Sequence, residues 1–155
     1  MLTLVHAEPD DTYAIAELLE ELDRFYGGTD FAPLEDRAKE VQAMIFREQP
    51  AAYVLLAKEG EQVIGMAAYS YLWPAVGLTQ SLYLKELYVT ETHRRRGVGK
   101  LLIDKILAIA AENDCSRVEW TADKNNPLAL GFYARLGHSE TQGKALYRVQ
   151  VDEER

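Results

Sequence analysis

The run Arg94-Arg95-Arg96-Gly97-Val98-Gly99-Lys100 constrains this chain more than any other stretch. An apolar, strand-like segment, Leu82 to Val89, precedes it, and an amphipathic run, Val98 to Glu112, follows. A strand that turns through glycines into a helix leaves unpaired backbone N–H groups at the helix start. The helix dipole adds partial positive charge there. Together these form an anion site, and phosphate or pyrophosphate is the usual occupant. The turn alone leaves two readings open, a phosphate cradle or a solvated arginine cluster. It is not a Walker A loop, because no Gly-x-x-x-x-Gly-Lys-Ser/Thr is present. Nor is it a Rossmann fingerprint, since Leu102 stands where the third glycine belongs.

A second element narrows the choice. Asn126 is followed seven residues later by Tyr133, within Asn125-Asn126-Pro127-Leu128-Ala129-Leu130-Gly131-Phe132-Tyr133-Ala134-Arg135-Leu136-Gly137. The segment Leu84-Lys85-Glu86-Leu87-Tyr88-Val89 with Arg94-x-x-Gly97-x-Gly99 resembles the acetyl-CoA signature of the GNAT N-acetyltransferase superfamily. The Asn126…Tyr133 element is similar to that family's Asn…Phe-Tyr-x-x-x-Gly. The chain looks closest to the diamine and thialysine acetyltransferase branch. That resemblance implies an α/β (α+β) GNAT fold: a mixed sheet of about seven strands, about four flanking helices, and central strands splayed to admit acetyl-CoA. The implied function is transfer of an acetyl group from acetyl-CoA to a primary amine of a small molecule by direct attack. The alternatives are a protein N-terminal or lysine acetyltransferase and a non-catalytic acyl-CoA-binding module.

A length of 155 residues suits one domain, residues 1–155. No apolar run approaches the ~20 residues of a membrane-spanning helix. The start, Met1 to His6, lacks the layout of a signal peptide. A lone cysteine, Cys115, allows no internal disulfide and fits a cytoplasmic protein. We read it as structural, not as a nucleophile. A net charge of −8 argues against nucleic-acid binding. The charge is uneven: residues 1–40 are strongly acidic and 93–100 are basic.

Leu2 to His6 alternates as a strand. Pro9-Asp10-Asp11 opens a helix, with Asp10 or Asp11 as N-cap, that runs through Phe25 to the stop at Gly27-Gly28. Pro33 to Arg47 reads as a second helix. Tyr53 to Ala57 and Val63 to Tyr71 form a hairpin around Glu59-Gly60-Glu61. After the Val98 helix come a strand, Arg117 to Ala122, and a short helix from Pro127 to Leu136 ended by Gly137. Ala145 to Val151 reads as a closing strand, with a further short one near His138 to Thr141.

Acetyl transfer must anchor the CoA, deprotonate an ammonium and satisfy a leaving thiolate. The backbone of Arg95, Arg96, Gly97, Val98, Gly99 and Lys100, with the side chains of Arg94, Arg95 and Lys100, suits the pyrophosphate. The resemblance assigns Leu87, Tyr88 and Val89 to the pantetheine arm. Asn126 has two roles open, a pantetheine contact and an N-cap for the helix at Pro127. An alkyl ammonium titrates near about 10, so a base helps at neutral pH. Glu86 is the first candidate, because a carboxylate in an apolar strand is expensive without a partner. Glu119 is the reserve. Strand alternation directs Lys85 and Glu86 to opposite faces. The diamine branch has two consecutive acids where this chain has Lys85-Glu86, which counts against a polyamine acceptor. Tyr133 matches the family's tyrosine, the implied acid for the thiolate. Phe25, Tyr26, Tyr71 and Trp73, with Tyr69, are acceptor-pocket residues by resemblance, and Lys85 is a further substrate-binding candidate. His6, His93 and His138 have no metal-ligand spacing, so no metal is expected. A homodimer is expected because dimers are common among similar proteins.

Overall fold

The computed structural model describes residues 1–151. The chain divides into two compact units, residues 1–121 and 122–155. The first unit holds β1 (Leu2–His6), α1 (Thr12–Phe25), α2 (Leu34–Ile45), β2 (Tyr53–Glu59), β3 (Gln62–Leu72), β4 (Gln80–Val89), α3 (Val98–Glu112) and β5 (Cys115–Trp120). These five strands make one sheet in the order β1-β2-β3-β4-β5. The first four pair antiparallel in succession, and β4 pairs β5 in parallel across the α3 crossover. In the second unit, α4 (Pro127–Arg135) follows its cap residue Asn126, whose Oδ1 accepts the Ala129 N–H at 3.2 Å. No helix among the described residues is long and apolar enough to cross a membrane.

Helix placement follows the apolar periodicity. Ile15, Leu18 and Leu22 of α1 pack with Val54, Leu56, Met66 and Tyr88 on one face of the sheet. Leu102, Ile103 and Ile106 of α3 are at most 1% exposed, and each such burial is worth about 1.5–3 kcal/mol. Gly65 permits the close fit. A Cβ there would lie 3.1 Å from the Tyr88 carbonyl and 3.4 Å from Leu102 Cδ1.

Two irregularities shape β4. Ala68 faces Glu86 and Tyr69 faces Leu84, so Lys85 is an extra residue, a bulge. The parallel ladder with β5 stops at Leu84↔Trp120, although β4 continues to Val89. Beyond Leu84, β4 has no partner on its β5 side among the described residues, because β5 ends at Trp120.

The expectation of about seven strands is corrected to five among the described residues. Neither Ala145 to Val151 nor the stretch near His138 to Thr141 forms a strand. Leu146, Tyr147, Val149 and Val151 are 68%, 89%, 86% and 82% exposed. Alternation marks a segment as able to pair, but a strand exists only with a ladder partner.

Candidate active site

Glu86 lies just past the bulge, where β4 has left β5. It is half-buried, and its carboxylate has no hydrogen bond or ion pair among the described residues. Burial raises its pKa above the ordinary carboxylate value, and the Asp23 charge raises it further, whereas Lys85 pulls it down. The bulge breaks strict alternation, and the exposed Lys85 acts on Glu86 through space. A half-buried carboxylate with a raised pKa at a strand break has the properties of a general base. Glu119 is different. It pairs with Arg117 at 3.5 Å on the surface of β5, opposite Tyr83.

Beyond Val89, the chain turns through Glu91–His93 into the α3 N-terminus. Gly97 is the cap residue at φ 80°, in the left-handed region, and no side chain closes this end. Arg95 also has a left-handed φ of 64°, a strained state for a non-glycine that concentrates at functional sites. The N–H of Leu101 bonds to Gly97 O at 3.1 Å and opens the helical ladder, so the amides of Val98, Gly99 and Lys100 point out of the helix end. Arg95 and Arg96 are exposed. Lys100 binds Asp104 at 2.7 Å.

Arg94 behaves unlike its neighbours. Its Nε donates to Val89 O at 3.0 Å. Its guanidinium lies 5.0 Å from the Phe25 ring centre and 5.2 Å from that of Tyr88. The Tyr88 hydroxyl donates to Glu21 Oε2 at 2.6 Å, and burial together with Glu21 pushes its pKa up to about 12. Sequence reasoning missed this cluster, since no spacing rule connects Glu21 and Phe25 to Arg94.

The structure divides the expected acceptor residues. Phe25 and Tyr26 stack edge to face at 5.2 Å at the end of α1, on the Glu86 face of the sheet. Tyr71 packs with Tyr53 and Tyr69 on the opposite face, and burial raises the pKa of both Tyr69 and Tyr71. Tyr69 also bonds His6 Nε2 at 2.7 Å. Trp73 is 71% exposed in the β3–β4 loop, at the ladder end remote from Glu86. Burial pushes the Cys115 thiol up, which opposes reactivity. In the second unit, Tyr133 follows Phe132 on α4, with ring centres 5.1 Å apart. Asn126 fills the N-cap role. No group of three His, Cys, Asp or Glu among the described residues is arranged to hold a metal.

The profile of the acetyltransferase (GNAT) family matches residues 15–138, most of the chain. The chain belongs to the GNAT acetyltransferase family. It is an N-acetyltransferase. Among its relatives, the L-ornithine N5-acetyltransferase NATA1 of Arabidopsis thaliana is 31% identical over 90 residues, 58% of this chain and 40% of that protein. The thialysine N-epsilon-acetyltransferase of Bos taurus is 24% identical over 155 residues, covering 93% of this chain and 89% of that protein. An integron cassette protein from the mobile metagenome of V. cholerae superposes with a TM-score of 0.90 at 30% identity, over 97% of this chain and 93% of that one.

Proposed function

We propose that this GNAT enzyme acetylates a primary amine of a small molecule, using acetyl-CoA as the donor. One observation carries the reading: β4 loses its β5 partner after Leu84, at the bulge that presents Glu86, and then runs directly into an uncapped helix N-terminus. A strand edge without a ladder offers backbone N–H and C=O groups to an extended amide-bearing arm, and the adjoining helix end suits a pyrophosphate. Acetyl-CoA has both parts. In this reading Leu87 to Val89 hold the pantetheine. The amides of Arg95 to Lys100, with the Arg95, Arg96 and Lys100 side chains, hold the phosphates.

Glu86 takes the ammonium proton, directly or through a water. The freed nitrogen lone pair attacks the thioester carbonyl, and the carbon–sulfur bond breaks as the new amide forms. The departing thiolate takes a proton from Tyr133, a role that rests on the sequence motif, and the second proton shed by the acylated nitrogen returns through water to the tyrosinate. The acceptor proposed here bears a carboxylate besides its amine. Lys85 stands exposed beside Glu86, one cation next to one anion, which matches an amino acid better than a diamine. The ornithine and thialysine in the relatives' names are of that kind.

The test is CoA release by purified protein against ornithine, thialysine, their decarboxylated diamines and lysine-containing peptides. The amino acids should turn over fastest. Preference for diamines would remove the role of Lys85, and preference for peptides would replace the small-molecule reading. A thermal scan with acetyl-CoA at a hundredfold excess over its Kd should show about 2.7 kcal/mol of added stability. No shift would refute the donor.

A further inference from the structure

We propose that Arg94 is a positioning residue, whose guanidinium between Phe25 and Tyr88 fastens the β4–α3 turn to the C-terminal end of α1. It does not serve as a phosphate ligand. This deepens the acetyl-transfer reading and rests on it for the binding measurement only.

Three segments that are distant in sequence meet at this point. From α1 come Glu21 and Phe25, from β4 Tyr88 and Val89, and from the following turn Glu91 and Arg94. The Arg94 Nε–H is used on Val89 O, and its planar cation lies against both rings. Glu21 Oε2 accepts the Tyr88 hydroxyl at 2.6 Å and the Glu91 N–H at 3.4 Å. Phe25 and Tyr88 are themselves in edge contact, with ring centres 6.4 Å apart. The strand end, the turn and the helix are thereby tied through one side-chain cluster. The adjacent Arg95 and Arg96 are exposed instead, with no side-chain hydrogen bond or ion pair among the described residues. The run of three arginines thus divides its labour, the first holding the loop and the next two facing solvent.

The consequence reaches Glu86. The last turn of α1 carries Asp23, whose charge bears on the Glu86 carboxyl. Fixing that turn to the phosphate loop sets the anion site and the surroundings of the base together. A guanidinium suits the task because it stacks on rings in a plane while donating from its edge. An ammonium is a point charge and reproduces neither feature.

The experiment uses native-state hydrogen exchange on the full, unliganded chain. Two amides report the two ends: Leu101, bonded to Gly97 O, and Gly28, bonded to Asp23 O. Arg94→Lys and Phe25→Leu should each speed exchange at both by about tenfold or more. Phe25→Tyr, which keeps a ring, should restore protection. Amides of the β2–β3 ladder, unchanged in all variants, show that the sheet remains folded. Calorimetric titration with acetyl-CoA then separates the roles. Loss of affinity in Phe25→Leu, matching that in the charge-retaining Arg94→Lys, supports the fastening role. Wild-type exchange in Arg94→Lys overturns it. So does affinity that falls in Arg94→Ala but is unaffected in Phe25→Leu, the pattern of a phosphate ligand. If wild-type protein fails to bind acetyl-CoA, the donor assignment falls, while the exchange data still decide the role of Arg94.

Discussion

The left-handed Gly97 gives a quantitative handle on the proposed anion site. An L-residue with a Cβ in this conformation costs roughly 1–2 kcal/mol. A Cβ at Gly97 would meet nothing within 4 Å, so Gly97→Ala introduces conformational strain without a clash. The variant has two ways to respond. If the loop keeps φ near 80°, folding bears the whole strain. If the loop relaxes, stability recovers, but the amides of Val98 to Lys100 turn away and acetyl-CoA binding must restore the strained form. The path from unfolded chain to liganded protein ends in the same state either way. Losses in unfolding free energy and in binding free energy should therefore sum to about 1–2 kcal/mol. Expressed as affinity alone, this is a loss of roughly 5- to 30-fold, at 1.4 kcal/mol per decade. Gly97→Asn should lose clearly less, because asparagine tolerates the left-handed region. Urea unfolding and calorimetric titration on the same three proteins supply both quantities. If Gly97→Ala changes neither stability nor affinity, the left-handed turn is not what presents the amides.

Glu86→Gln should lower turnover by about 10²- to 10⁴-fold, the range for a general base. The fold of Glu86→Gln should be more stable than wild type at neutral pH. Burial and Asp23 raise the native pKa of Glu86, so the native state binds this proton more tightly than the unfolded chain does. Wild type then loses stability as pH rises through the native value, and the gap to Glu86→Gln closes below the ordinary carboxylate range. Equal stability of the two proteins across pH 3–9 would show that the carboxylate is not desolvated. Tyr133→Phe removes one oxygen and keeps the ring beside Phe132. Turnover should fall by about 10²-fold with acetyl-CoA affinity held, the low end of the acid–base range because a thiolate is already a fair leaving group; full turnover would return Tyr133 to a packing role. Leu102→Ala empties a fully buried position against Gly65 and should cost about 2–5 kcal/mol by denaturant unfolding. A loss under 1 kcal/mol would mean that α3 is not pinned to the sheet there.

Much of the local architecture was legible in order along the chain. The helix α3 begins at Val98 and ends at Glu112, where the amphipathic run begins and ends. Asn126 caps α4 and Pro127 opens it, as their side chains allow. These features depend on neighbours within a few residues, and the sequence lists such neighbours directly. The turn between β4 and α3 is of the same kind: glycine freedom and helix-end amides are properties of a short stretch.

Features that depend on pairing across the sheet were not legible. The extra residue at Lys85 exists only relative to Ala68 and Tyr69 on β3. The break after Leu84 exists only because β5 ends at Trp120. Tyr71 is expected in the acceptor pocket with Phe25 and Tyr26, yet register sets it on the other face beside Tyr53 and Tyr69. Ala145 to Val151 has the composition of a strand and forms none, since a ladder requires a second segment. Arg94 shows the same division within one residue. Its backbone position in the turn follows from the motif. Its side chain lies between Phe25 and Tyr88 because α1 packs over β4. The sequence by itself determined the groups able to do the chemistry. The tertiary structure decided which of them meet, because strand register and helix packing join residues that local spacing keeps apart.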